Sequence, residues 1–304
     1  MAGDHELTAT NLPPPSLAGG GRKRVLNHIR PYVLIALPLI FLLIFFVIPS
    51  VVLLSMSIVQ SENTIPTGNL TFDNFTTLLS NRLYLNAILR SVFVGIASGA
   101  IVVVLAYPLA YFLVRTTSRW KNLLIALSLA PLLASVIVRT YGWWVVLNRE
   151  GALNVGLRSL GIIDQPLIIL PSTVAIIIGL AHALLPYGVL TIMASLNGLN
   201  PSLERAAMSL GAGRTRTFLA VTLPMSTPGI AGGFLLTFAI AISAYATPAI
   251  LGGPNTEVMA TMIRRFMLEL LDWSLGSAMG AILLVSAMVL LLLTNALGNR
   301  QTAP

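Results

Sequence analysis

The stretch IVVVLAYPLAYFLV, residues 101–114, is almost wholly apolar and does not alternate between polar and apolar residues. A strand of a membrane barrel would alternate over about ten residues, because one face meets lipid and the other meets the barrel interior. Unpaired backbone groups cannot face lipid, so a segment that spans a membrane is either such a strand or a helix. This stretch therefore predicts a transmembrane helix.

The rest of the chain has the same character. Of its 304 residues 56% are hydrophobic and 9% are charged, whereas a soluble domain has about 25% charged residues. A helix needs roughly 20 apolar residues to cross a bilayer. The uncharged runs predict an all-α membrane protein with six transmembrane helices, near 33–58, 91–114, 122–147, 170–194, 228–250 and 274–297.

These helices are expected to form one transmembrane domain over 32–298. Prolines at 13–15 and glycines at 19–21 indicate a disordered N-terminal tail over 1–31. The first apolar run is too long for the core of a secretory signal, so no cleaved signal is expected. A cytoplasmic loop over 197–226 lies within the domain, and a short tail over 299–304 follows it.

The charge distribution predicts the orientation. A net charge of +8 could indicate a nucleic-acid partner, but cytoplasmic loops of membrane proteins carry an excess of Lys and Arg. With both termini in the cytoplasm, that side holds eleven basic residues and three acids, and the other side holds six basic residues and seven acids. The cytoplasmic basic residues are then Arg22, Lys23, Arg24, Arg30, Arg115, Arg119, Lys121, Arg205, Arg214, Arg216 and Arg300. We therefore expect cytoplasmic termini and no nucleic-acid partner.

A polar module, LERAAMSLGAGRTRTFLAVTLP at 203–224, separates the fourth and fifth predicted helices. Asn200 is a good N-cap and Pro201 a good first residue of a short helix. Glu204 lies in the first turn, where a negative charge suits the helix dipole. Gly211 is placed to end the helix in a left-handed conformation. A second helix is expected to follow from about residue 214.

The short helix has a narrow apolar stripe of Leu203, Ala206, Ala207 and Leu210, at spacings of three and four residues. The two alanines would let another surface come close, as a helix docked in a groove requires. A helix resting on the membrane surface would favour larger apolar residues. Periodicity alone leaves both interpretations open.

The sequence AAMSLG at 206–211, followed by LP at 223–224, resembles the signature cytoplasmic loop of ABC-importer permease subunits. The segment 70–92 resembles the part of such permeases that leads into the core, and the segments 138–154, 182–196 and 243–254 resemble the spermidine/putrescine-type branch of that family. The resemblance implies a type I importer permease fold, in which the short helix is a coupling helix held in a cleft of a separate ATPase. The coupling residues that it implies are Leu203, Glu204, Arg205, Ala206, Ala207, Leu210 and Gly211.

The chain departs from the family pattern at one position. The usual motif has a glutamate directly before the two alanines, but Arg205 stands there and the acid, Glu204, comes one residue earlier. One residue turns a side chain by about 100° around a helix. Either Glu204 reaches the same partner by a different geometry, or a second permease subunit supplies the usual glutamate.

Polar, aromatic or helix-breaking residues inside spans predict a translocation path. Arg139 is the one charge within a predicted span, close enough to the outer surface for its side chain to reach the interface. The aromatic residues beside it could equally form an interfacial belt, and His182 is expected to be structural. The candidates for the path and its gate are Arg139, Tyr141, Trp143, Trp144, Tyr187, Ser243, Tyr245, Thr247 and Pro248.

No chemistry is expected in this chain. It has no cysteine and no phosphate-binding G-x-x-x-x-G-K-[ST] motif, so we predict no catalytic residue, metal site or cofactor. The resemblance implies homodimeric or paired ATPases that bind ATP and magnesium, and a periplasmic binding protein, at the bacterial inner membrane. It also implies a second, similar permease; a homodimer and a heterodimer are both possible, and spermidine-type systems, which use two different subunits, favour the heterodimer.

The substrate implied by the resemblance is a polyamine or a related amine or opine-like compound. No acid lies inside a predicted span and Arg139 would repel a cation, so a zwitterionic or anionic solute stays open as an alternative. An ion-coupled secondary transporter would predict intramembrane acids or inverted repeats, and neither is found. A membrane enzyme would need clustered His, Asp or Glu, whereas these residues are scattered.

Overall fold

The computed structural model describes residues 35–62 and 64–299. The predicted tail over 1–31 and the last residues of the predicted C-terminal tail lie outside these ranges. The chain divides into two units, Met1–Leu53 and Leu54–Pro304. Helix α1 (Ile35–Met56) begins in the first unit and contains a π-helical stretch at Leu43–Val47.

The second unit is helical apart from one antiparallel hairpin, β1 (Val59–Glu62) and β2 (Ile65–Leu70), in the part of the chain described here. The helices that follow are α2 (Asp73–Ser80), α3 (Arg82–Arg115), α4 (Lys121–Leu133), α5 (Val136–Leu147), α6 (Ala152–Ser159), α7 (Thr173–Asn197), α8 (Pro201–Ser209), α9 (Arg214–Met225), α10 (Thr227–Ser243), α11 (Ala246–Leu251), α12 (Met259–Arg264) and α13 (Trp273–Asn299). A π-helical stretch, Arg265–Glu269, extends α12.

The predicted all-α membrane class is confirmed. Within the described residues, α1, α3, α7 and α13 are each long and apolar enough to cross a membrane. Two bent pairs, α4 with the segment Val136–Ser159 and α9 with α10, raise the number of candidate spans to as many as six. The prediction of six spans agrees with that upper number.

Two predicted spans are not continuous helices. The predicted helix over 122–147 breaks at Ala134 and Ser135, and α4 meets the segment Val136–Ser159 at 97°. At this break the Arg139 guanidinium donates to the Pro131 carbonyl, which the Ser135 N–H would reach in an unbroken helix. The guanidinium therefore replaces a lost backbone donor.

The predicted helix over 228–250 breaks at Ala244, between α10 and α11. Pro248 lies four residues further on, so it cannot donate a hydrogen bond to the Ala244 carbonyl and its ring crowds that group. The length of an apolar run indicates that a segment can cross a membrane but not whether its helix is continuous, so neither break could be deduced from it.

The core of the second unit lies between α3, α7 and α10. Val102, Ala106, Leu180, Ile192 and Ala241 are among its buried side chains. A smaller cluster of Leu78, Ala87, Met259, Met262, Ala278 and Met279 joins α2, α3, α12 and α13.

Glycines let the core helices approach closely. A Cβ at Gly188 of α7 would lie 2.5 Å from Cγ1 of Val102 on α3, and a Cβ at Gly229 of α10 would lie 2.3 Å from Cβ of Ser195 on α7. Real side chains cannot occupy those distances, so these two contacts require glycine.

Candidate coupling and translocation sites

Helix α8 begins and ends as its sequence predicts. The Asn200 side chain accepts from the backbone N–H of Ser202 at 3.0 Å, and Pro201 is the first helical residue. Gly211 has φ +88. Its N–H donates to the Met208 carbonyl at 3.0 Å and that of Ala212 to the Ala207 carbonyl at 3.1 Å, which is a Schellman ending.

The apolar stripe of α8 faces away from the described part of its own chain. The Leu203 and Leu210 side chains are 42% and 89% exposed, and Ala206 is exposed as well. Ala207, the fourth member of the predicted stripe, is half-buried. Three small or medium apolar residues thus remain free to meet another surface.

Glu204 points the other way, into the chain. Its carboxylate forms an ion pair with the Arg115 guanidinium at the end of α3. The same carboxylate oxygen accepts a hydrogen bond from the Thr222 hydroxyl of α9 at 2.8 Å. Arg205, one residue along, is exposed. Sequence analysis used Arg115 only to predict the orientation of the chain and did not predict its pairing with Glu204, although Arg115 is the first charged residue after the second predicted span.

Aromatic contacts extend this arrangement along α3, and we call them, with Arg115, Glu204 and Thr222, the linker cluster. The Arg115 guanidinium lies 5.9 Å from the ring centre of Tyr111. The Phe218 ring of α9 packs edge-on against Tyr111 at 5.3 Å and against Tyr107 at 5.9 Å. The Tyr107 hydroxyl is 2.8 Å from the Ser226 hydroxyl, which lies between α9 and α10.

A cavity of about 370 Å³ lies where the two helix breaks meet beside α7, and we call it the break cavity. Ala134 and Ala244, the break residues, both line it, and so does Leu184 of α7. Five of the predicted path residues also line it, namely Arg139, Tyr187, Ser243, Tyr245 and Thr247. The lining residues come from five helices, α4, α5, α7, α10 and α11.

Arg139 is the only charged residue among the described residues that line the break cavity. It is partly buried, and the described residues place no carboxylate within salt-bridge distance of it. Its neighbour Thr140 is buried, with its hydroxyl 3.4 Å from that of Thr247. The cavity is thus lined by one guanidinium, hydroxyls, two tyrosines and apolar groups.

Four of the predicted path residues do not line the break cavity, namely Tyr141, Trp143, Trp144 and Pro248. The Tyr141 and Trp144 side chains are 54% and 41% exposed on α5. The Trp143 indole N–H donates to Nδ1 of His182 at 3.2 Å, with the ring centres 5.6 Å apart. These contacts fasten α5 to α7 beside the cavity.

A second cavity, of about 350 Å³, lies next to the first, and we call it the charged cavity. Tyr245 lines both cavities, and Pro248 lines only the charged one. The Arg264 guanidinium lies 5.4 Å from the Tyr245 ring centre and also pairs with Glu269.

A second ion pair of the charged cavity joins Arg265 to Glu257 at 3.5 Å. The Arg90 guanidinium of α3 donates to the Glu257 backbone carbonyl at 3.0 Å. Sequence reasoning did not select any of these residues; Arg265 and Glu257 are eight positions apart, whereas the contact of Arg90 with Glu257 joins residues 167 positions apart. Within the described ranges, no group of three or more His, Asp or Glu residues could hold a metal ion.

The chain is 34% identical over 208 residues to the spermidine/putrescine transport system permease protein PotB of Escherichia coli (strain K12), covering 68% of this chain and 75% of that protein. The chain belongs to the PotB-type permeases of ABC importers. It is also 29% identical over 282 residues to PotB of Haemophilus influenzae, covering 91% of this permease and 98% of that one.

A solved structure shows the same fold for this permease. A chain of the bacterial alginate ABC transporter in complex with alginate pentasaccharide-bound periplasmic protein matches it with a TM-score of 0.75 at 19% identity, over 92% of this chain and 97% of that one. No protein-family model matches the chain. The permease is a multi-pass membrane protein and a transporter subunit, and in ABC importers the partner ATPases hydrolyse ATP.

Proposed function

We propose that this permease forms, together with a second and different permease, the path of a bacterial inner-membrane ABC importer for a polyamine or a related amine. A periplasmic binding protein delivers the solute, and paired ATPases that bind ATP and magnesium drive its movement. The observation that carries the proposal is the break cavity, where two interrupted membrane helices face each other. The similarity to the two PotB proteins supports the class of solute.

Helix breaks within a membrane favour a path. Non-helical backbone is tolerated at membrane depth only where protein covers it or where it lines a cavity. Discontinuous helices are also typical of transporter binding sites, because their ends present unpaired backbone groups to the solute. Ala134 and Ala244 provide two such breaks on one cavity.

Tyr245 is suited to be the gate between the two cavities. It follows the break at Ala244, lines both cavities, and its ring is held by the Arg264 guanidinium. A side chain beside a break can move with a small change of backbone angle, and Arg264 with Glu269 would hold it closed.

The exposed stripe of α8 supports docking to an ATPase rather than resting on lipid. Leu203, Ala206 and Leu210 face outward and Glu204 is bonded within the chain. Arg205 adds an exposed charge beside them. A protein cleft can accept a small apolar stripe with a charge at its edge.

The charged cavity supplies acids that the spans lack. Glu257 and Glu269 line it, and the rings of Tyr187 and Tyr245 in the break cavity can attract an ammonium group. Arg139 favours a second candidate, a zwitterionic solute whose carboxylate would meet the Arg139 guanidinium, which has no carboxylate partner among the described residues.

The test is uptake into liposomes that contain this permease with its own second permease, ATPase and binding protein. We expect radiolabelled putrescine or spermidine to enter only when ATP is hydrolysed. Uptake of γ-aminobutyrate without uptake of putrescine would select the zwitterionic candidate. Uptake that persists without ATP hydrolysis would reject the importer and favour an ion-coupled transporter.

A further inference from the structure

The acid of the coupling helix is already occupied by its own chain. The Glu204 and Arg115 side chains are only 19% and 27% exposed. One carboxylate oxygen takes both the Arg115 guanidinium and the Thr222 hydroxyl. A partly buried pair with a further hydrogen bond is better fixed than an ion pair on an open surface. The Glu204 side chain is therefore turned toward its own chain, and its low exposure makes it poorly placed for a second protein.

The charge that α8 shows to its surroundings is positive. Arg205 follows Glu204 directly, so its side chain is turned by about 100° from the carboxylate, and it is exposed. It thus lies on the open side of α8, beside Ala206, where the family's usual motif has a glutamate. The one-residue displacement of the acid has turned the negative charge inward and placed a positive charge outward.

We propose that Glu204 is a positioning residue that fastens α8 to the end of α3 through Arg115, and that Arg205 meets an acidic group in the cleft of the ATPase. Movement of α8 by the ATPase is then passed to α3 through the ion pair. This inference rests on the proposed function, because it requires an ATPase that docks on α8.

The linker cluster gives that movement a continuous route into the membrane. Arg115 lies over Tyr111, and Phe218 packs against both Tyr111 and Tyr107. Further along α3, Val102 packs directly on Gly188 of α7. Coupling between distant sites is carried by such chains of packed and bonded groups, and this one leads from α8 to the helices of the core.

The test uses the complete transporter in liposomes, with its own ATPase and binding protein and with putrescine as the probe. The variants are Glu204→Gln, Arg205→Glu and the exchange Glu204→Arg with Arg115→Glu. Arg216→Glu, at an exposed arginine of α9, is the control for a charge reversal elsewhere in the same polar module. Two quantities are measured, the ATPase retained per permease after purification and the putrescine taken up per ATP hydrolysed.

We expect E204Q to retain the ATPase as the wild type does, while uptake per ATP falls about tenfold, as loss of a coupling contact predicts. The exchange variant should recover most of that loss, because it restores the ion pair. R205E should lower ATPase retention about tenfold through like-charge repulsion, whereas R216E should not.

Three results would overturn the inference. Loss of the ATPase by E204Q as severe as that by R205E would place Glu204 in the ATPase interface. Unchanged uptake per ATP in E204Q would remove its positioning role, and equal retention by R205E and R216E would remove the acidic cleft. Thermal unfolding of each variant in detergent separates these effects from misfolding. A wild-type transporter without ATP-dependent uptake would instead contradict the proposed function.

Discussion

The end of α8 depends on the backbone conformation of one residue, Gly211. Gly211 adopts a left-handed backbone with φ +88, and a Cβ there would meet nothing within 4 Å. A larger residue would therefore meet no steric clash at this position, and only the left-handed backbone conformation disfavours substitution. A side chain in this conformation costs roughly 1–2 kcal/mol.

Replacing Gly211 with alanine should therefore loosen the Schellman ending without any clash. We expect amide hydrogen exchange over residues 206–212 to become about tenfold faster, which corresponds to about 1.4 kcal/mol. Gly156→Ala is the control, because Gly156 lies within α6, also has open space around it and lacks a left-handed φ. An equal acceleration of hydrogen exchange around residue 211 in one variant and around residue 156 in the other would contradict a specific role of the left-handed Gly211.

Replacing Arg264 tests whether Tyr245 acts as a gate between the two cavities. Arg264→Met removes the charge over the Tyr245 ring, a contact that contributes about 0.5–1 kcal/mol at an exposed site. We expect putrescine to leak about two- to fivefold faster through the reconstituted transporter in the absence of ATP. Arg265→Met removes a neighbouring arginine of the same cavity, which pairs with Glu257 instead, and should leave the leak unchanged. An equal rise of the putrescine leak in both variants would contradict a gating role for Tyr245.

The elements could be predicted from the sequence where the cause is local. The bounds of α8 follow from Asn200, Pro201 and Gly211, whose contacts are with residues within four or five positions. The helix breaks could not be predicted, because proline alone does not decide them: Pro108 and Pro186 lie inside the unbroken helices α3 and α7. At Ala134 the break also needs Arg139 to satisfy the freed carbonyl.

The close approach of α3 and α7 predicts an unequal response of two glycines. Gly188→Ala should destabilise the protein by about 1–3 kcal/mol through overpacking, since the new Cβ would lie 2.5 Å from Val102 and 3.1 Å from Ala106. Gly233→Ala, on α10, is the control because its Cβ would have no neighbour closer than 3.7 Å.

The measurement for this pair is the midpoint of thermal unfolding in detergent, followed by tryptophan fluorescence. We expect a clearly lower midpoint for Gly188→Ala and an unchanged or slightly higher one for Gly233→Ala. A loss of stability in both would mean that glycine flexibility, and not the helix contact, sets the stability.

For the whole molecule, sequence reasoning selected candidate functional regions but could not predict how they are joined. It selected both α8 and the second break, and the structure brings five of the predicted path residues together. Tyr141 and Trp144 were grouped with them by closeness in sequence, but the helical turn places them on another face of α5. The pair of Arg115 and Glu204 joins residues 89 positions apart, and only the fold places them in contact.

The orientation of the whole chain can be tested directly, because the sequence contains no cysteine. Ser159 on α6 and Ser209 on α8 are both exposed, and each can be replaced singly by cysteine. In right-side-out vesicles a membrane-impermeant maleimide should label S159C at once and S209C only after permeabilisation. The reverse pattern would contradict cytoplasmic termini and an α8 that faces an ATPase.

The bond between Arg139 and the Pro131 carbonyl has a consequence for altering what the permease carries. The guanidinium carries the charge of the break cavity, and its hydrogen bond also stabilises the break between α4 and α5. Removing it would therefore change the angle between these helices as well as the electrostatics of the cavity. Attempts to redesign solute preference by replacing Arg139 would therefore change two properties at once. Tyr187 and Thr247 line the same cavity without closing that joint, and they are the more separable positions for engineering.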